Sequence, residues 1–226
     1  MARVDMPSPT AQWLQTHRYA LLFWTLLATV SLGPLLDALH FGDDLLEALL
    51  FACLFGAVFP ISFSLRQLVL VLLILTVQLL RWLARGPSND VVPVAGALLW
   101  GGIGTLCALR AIRFSLSSAR VDQEHFYAAL SGYLLLGIGG GVVIAALSSV
   151  LPGSMLLAGQ PVEGGLDFGD AIYFSFVTLA TLGYGDITPI DPILRGIAVL
   201  ECIVGQLYLA LLIARLVGLR STAPTE

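Results

Sequence analysis

Six apolar runs in this chain are long enough to cross a bilayer, at about 19–38, 45–64, 66–84, 91–112, 126–150 and 193–216. A hydrocarbon core of about 30 Å takes about 20 apolar residues per helix. Lipid offers no partner to a bare backbone N–H or C=O, so only helices and closed barrels span it. Runs this long and without strict alternation are helical. Of the 226 residues, 58% are hydrophobic and 12% charged, with a net charge of −4. This balance excludes a nucleic-acid binder, which would show a basic stripe, and a disordered chain, which would be polar. A soluble enzyme does not fit it either. The expected class is an all-α transmembrane protein. Cys53, Cys107 and Cys202 sit singly in apolar stretches with no C-x-x-C pair, so they are expected to be packing residues rather than metal ligands. The polar start through His17 is long for a cleavable leader and no convincing small-x-small cleavage site follows, so 19–38 is expected to be a retained first span.

The segment between Leu151 and Pro192 breaks the pattern. It opens on Pro152 and Gly153 and continues as a polar loop through Glu163, Asp167 and Asp170. It turns apolar from Ala171 to Leu182, then ends in glycines and Asp186. About twelve apolar residues are too few to cross, and point to a re-entrant or core helix. A half-helix followed by irregular backbone is tolerated at membrane depth only where protein buries it or it lines a water-filled path. The segment thus points to a pore on physical grounds alone.

All eleven cations are arginines. With the N-terminus inside and six spans alternating, Arg3, Arg18, Arg66, Arg110, Arg113, Arg120, Arg215 and Arg220 fall on the cytoplasmic side, and Arg81, Arg85 and Arg195 outside. This is the direction the positive-inside rule requires. Carboxylates, among them Glu163, Asp167, Asp170, Asp186 and Asp191, gather on the outer face, where they would concentrate cations. Both termini are expected in the cytoplasm, in a multi-pass cell-membrane protein. The all-arginine composition points to a bacterial inner membrane.

Thr181, Leu182, Gly183, Tyr184, Gly185 and Asp186 resemble the signature of the potassium channel family, usually TVGYGD, with Leu in place of Val. Asp170 to Phe174 resemble the acidic start and aromatic pair of that family's pore helix, and Thr178 precedes the filter as the family expects. The resemblance covers about 126–220. The four preceding spans match the six-helix channel architecture in number and placement alone. It implies four N-terminal helices followed by a two-helix pore module with a re-entrant pore helix and filter. By boundary, it implies a cytoplasmic N-terminus at 1–18, a sensor-like domain without an arginine repeat at 19–114, a linker at 115–125, a pore domain at 126–220 and a tail at 221–226. With so short a tail, the implied type is prokaryotic, without a cytoplasmic regulatory domain.

The function implied is passive, potassium-selective conduction, not enzymatic activity. Backbone carbonyls replace the water shell of K⁺ in such a filter, here those of Thr181, Leu182, Gly183 and Tyr184, with Gly185 completing the loop. Gly183 and Gly185 accept φ > 0 without a Cβ penalty. No cofactor is implied, and K⁺ is the permeant ion. One loop cannot encircle an ion, so the partner implied is the chain itself, as a homotetramer in lipid. Asp186 is expected to bond to the Tyr173 hydroxyl and brace the loop. Val177 stands where the family often places Glu or Val, so further carboxylate support must come from elsewhere.

Glu201 and Gly205 are the gating candidates. An ionisable residue inside a span is costly and functional by default, and Glu201 is expected to buttress the pore helix or bias gating through protonation. Gly205 falls at the family's inner-helix hinge, although glycine there also serves close packing. Gln206 and Leu209 are candidates to line the inner cavity, and Gly139, Gly140 and Gly141 read as packing glycines. The fourth run carries only Arg110 and Arg113, at its cytoplasmic end. At about 2.3 kcal/mol per charge per 100 mV, these give weak voltage dependence or none. The alternatives are a poorly selective cation channel, against which the intact Gly-Tyr-Gly speaks, and a non-conducting scaffold subunit.

Overall fold

The computed structural model describes residues 17–38, 108–109, 112–113 and 123–221. The second and third apolar runs, most of the fourth, Arg110, most of the expected linker and the tail beyond Ser221 lie outside the described residues. In chain order the elements are α1 (Arg18–Ala38), α2 (Gln123–Val150), β1 (Met155–Leu157), β2 (Gln160–Pro161), α3 (Phe168–Leu179), β3 (Ile187–Pro189) and α4 (Pro192–Ser221). Among the described residues, Gln123–Val150 and Pro192–Arg215 are long and apolar enough to cross a membrane.

α2 is the centre of the packing. Its residues Leu135, Ile138, Val142 and Ala146 share one buried cluster with Leu22 and Leu26 of α1, Ala108, and Ile172 of α3. The first turns of α1 and α2 lie side by side. The Tyr19 N–H, in the first turn of α1 where no intrahelical acceptor is in reach, donates to Glu124 Oε2 at 3.0 Å, and the Phe23 and Tyr127 rings meet at 5.7 Å. The carboxylate also faces the positive end of the α1 dipole. In α1, Thr25 and Thr29 return their hydroxyls to carbonyls one turn earlier, so an apolar helix carries them without an unmet polar group.

Two glycines let α3 approach α2 closely. A Cβ on Gly141 would lie 2.6 Å from Ile172 Cα, and one on Gly137 would lie 2.5 Å from the Phe176 ring. Contact at these distances is what small residues at helix interfaces permit. Gly137 was not among the glycines singled out by the sequence.

The loop expected between the fifth run and the short helix contributes two strands to a small antiparallel sheet, in the order β2-β1-β3, whose third strand follows the glycine loop. Leu157 pairs with Gln160 on one side and with Ile187 on the other. The two-residue turn between β1 and β2 has φ 49° at Ala158 and 81° at Gly159, the two left-handed positions of a type I′ hairpin. Pro161 and Pro189 both fall on edge strands, where a missing N–H costs no ladder bond. Met155 is fully buried in a second cluster with Ile144, Leu166, Ala171, Phe174, Ile187 and Leu194. The sheet therefore fastens the chain after the glycine loop to the end of α2 and the start of α4.

Candidate functional site

The segment from α3 to α4 carries the residues the motif selects. α3 has 12 residues, about 18 Å at 1.5 Å per residue, less than the hydrocarbon core. Asp170 lies in its first turn, favourable at the positive helix end. At its other end the chain turns back on the helix. Ala180 N–H donates to the Phe176 carbonyl, Thr181 N–H to Thr178 and Leu182 N–H to Val177, at 2.9, 2.9 and 2.8 Å. Beyond Leu182 the backbone leaves the helix end.

From there φ is positive at every second residue: 59° at Thr181, 57° at Gly183 and 80° at Gly185. Such alternation turns successive carbonyls in register rather than to opposite sides. A Cβ at Gly183 or Gly185 would meet nothing within 4 Å, so space is not what demands glycine there. The left-handed backbone is. Thr181 adopts the same region without being glycine, a position the motif did not mark as left-handed. All six residues from Thr181 to Asp186 are exposed, with Leu182 at 56% and Tyr184 at 67%.

The far end of the loop is tied down twice. The Tyr173 hydroxyl donates to Asp186 Oδ2 at 2.7 Å, and the Ala158 N–H of the hairpin donates to the Asp186 carbonyl at 2.8 Å. The Tyr173 hydrogen bond holds the Asp186 carboxyl below the usual carboxylate range, and pushes the phenol up to about 12. Asp191, just beyond, accepts from the Ile193 N–H at 2.7 Å and caps α4, whose first helical residue is Pro192.

α4 meets the inner end of the loop. Gln206 Nε2 reaches Thr181 Oγ1 at 3.4 Å. Gly205 is buried, and a Cβ there would collide with the Leu179 carbonyl oxygen. That close approach to the end of α3 is sufficient reason for a glycine at 205, and α4 runs unbroken through it. Leu209 is half-buried. Glu201 is buried, and its Oε1 bonds to Ser175 Oγ of α3. Ser175 in turn lies 2.6 Å from the Gly137 carbonyl of α2. No sequence signal singled out Ser175, a lone serine in an apolar helix.

Comparison with known proteins accords with this arrangement. Residues 132–219 match the family model described as ion channel, so this stretch of the chain is similar to an ion-channel module. The resemblance to the potassium channel family is borne out by named relatives. The chain is 45% identical over 58 residues to the inward rectifier potassium channel Kirbac3.1 of Paramagnetospirillum magnetotacticum, covering 26% of this chain and 19% of that protein. It is 30% identical over 94 residues to two pore potassium channel c of Oryza sativa subsp. japonica, covering 42% of this chain and 18% of that one. Protein LctB of Bacillus caldotenax is 27% identical over 128 residues, 55% of this chain and 90% of its own length. The chain thus spans about a fifth of the length of the first two relatives. No solved structure matches it.

Proposed function

We propose that this chain is the subunit of a potassium-selective channel in which four copies surround one central pore. The observation that carries the reading is the alternation of left-handed backbone at Thr181, Gly183 and Gly185, between a 12-residue helix and a helix long enough to span. Carbonyls of Thr181, Leu182, Gly183 and Tyr184 replace the hydration of K⁺ while leaving the path nearly uncharged, so that the ion also leaves. α3 enters the membrane and returns as a re-entrant pore helix, its negative end facing the cavity below the filter. Asp186, Tyr173 and Thr178 hold the loop, and Glu201 and Gly205 act on α3 from α4.

Fourfold assembly is supported by what one copy leaves bare. Leu182 and Tyr184 are large, exposed side chains on a loop that the described residues leave uncovered, and α4 presents Ile193, Leu200, Ile203, Leu207 and Leu211, all more than half exposed. In lipid and against neighbouring subunits such a surface is satisfied. In this reading 126–220 forms the pore domain, 19–114 the surrounding helices and 115–125 the linker. Both termini are cytoplasmic, in a bacterial inner membrane, and voltage dependence is weak.

The test is K⁺ flux from liposomes holding the purified full-length chain, with Na⁺ competing. Selective K⁺ flux that Gly183→Ala abolishes is expected. Equal passage of Na⁺ would make it a poorly selective cation channel. No flux from a well-folded protein would make it a scaffold.

A further inference from the structure

Glu201 is, among the described residues, the one acidic or basic side chain that is buried, and its hydrogen bonds define its proton. Ser175 Oγ lies 2.6 Å from the Gly137 carbonyl oxygen and is also hydrogen-bonded to Glu201 Oε1. A carbonyl oxygen can only accept, and a serine hydroxyl has one proton to give. That proton goes to Gly137. The bond between Ser175 and Glu201 then needs its proton from the carboxyl. An ionised Glu201 would leave two acceptors competing for one hydrogen.

The surroundings agree. Glu201 Oε2 is buried with no hydrogen-bond partner among the described residues, a severe position for an anion and a mild one for the carbonyl oxygen of a neutral acid. Among the described residues, the groups shown against the carboxyl are Gly140 and the Tyr133 phenol on α2 and Ser175 on α3. None of them is a cation. Gly140 makes the room, since a Cβ there would overlap Glu201 Oε1 and lie 2.7 Å from Ser175 Oγ.

We propose that Glu201 is a neutral carboxylic acid that donates to Ser175, and that the relay from Glu201 through Ser175 to the Gly137 carbonyl is the clasp fixing α3 between α2 and α4. Ser175 is thereby a positioning residue for the loop that begins at Thr181. It never touches the ion, but sets the helix from which the carbonyls are hung. The part of the proposal that concerns the loop rests on the channel reading; the protonation of Glu201 does not.

Infrared spectra of the full-length protein in liposomes at neutral pH test the proton directly. The stretching band of a protonated carboxyl is expected in the wild type and absent from Glu201→Gln; identical spectra in that region would overturn the proposal. Flux tests the clasp. Glu201→Gln, whose amide still donates to Ser175, keeps K⁺ over Na⁺ discrimination. Ser175→Ala lowers it by about tenfold, the size of one net hydrogen bond, and Ser175→Thr restores it. Unchanged discrimination in Ser175→Ala would overturn the clasp. A wild type that passes no K⁺ would count against the channel reading alone, with the infrared comparison still deciding the state of Glu201.

Discussion

α2 and α4 are similarly apolar and both long enough to span, yet 56% of the most apolar stretch of α2 is buried within the chain against 6% for α4. α2 has α1 on one side and α3 on another, with Gly137 and Gly141 bringing backbones together. α4 touches α3 at Gly205 and through Glu201 and turns most of its surface outward. Hydropathy alone does not distinguish a helix finished by its own chain from one that needs other chains. Burial does, and in the channel reading it divides the molecule into a scaffold complete in one copy and a conducting side completed by four.

The sharpest way to break this division is at the loop. Gly183→Ala puts a side chain on backbone at φ 57°, at about 1–2 kcal/mol per copy and, in the channel reading, in four copies at once. K⁺ flux in liposomes is expected to fall to background while the melting of the protein in detergent is unchanged. Next in size is a change on the finished side. Gly141→Val forces a branched side chain onto Ile172, and overpacking of this kind costs about 1–3 kcal/mol. Thermal melting is expected to drop. Leu207→Ala and Leu211→Ala on the bare side of α4 are expected to leave that melting in place and weaken assembly, read as particle mass in native gels or by mass spectrometry.

A smaller effect is expected where the two sides meet at Asp186. Its carboxyl lies below its usual value of 3.8 because the Tyr173 hydroxyl donates to it. A depressed carboxyl contributes above its unfolded value and ceases to as pH falls through the folded one. The raised phenol, up to about 12, contributes below its usual 10 and is lost as pH rises through the folded value. The brace is therefore complete from about pH 4 to 10. Sustained flux is expected to be flat across that window and to decline on acidification below it. Tyr173→Phe is expected to shorten sustained flux inside the window and to reduce that acid step. The smallest change is Ala158→Gly in the hairpin, which relieves a non-glycine residue at φ 49° and is expected to raise stability by up to about 1 kcal/mol.

Much of the segment from Asp170 into α4 is legible in the sequence. The short apolar run after Asp170, the glycines at 183 and 185 and the long run from 193 all follow from rules that act along the chain: span length, backbone freedom and the macrodipole. The small sheet was not legible. Its strands are two or three residues long, too short for alternation to register, and its second pairing joins Leu157 to Ile187 across the whole of α3. Gly140 and Gly141, which read as packing glycines, do make tight approaches, and so does Gly137, which no motif marks.

By itself the sequence determined that this chain lives in lipid and carries a short helix ahead of a left-handed glycine loop, because hydrophobic length and the missing Cβ of glycine are properties of neighbours in the chain. Only the tertiary structure decided that Glu201 meets Ser175, 26 positions away, and that Ser175 meets Gly137, 38 positions away. A hydrogen bond is satisfied by whichever atoms the packing brings within reach, and no local rule states which those are.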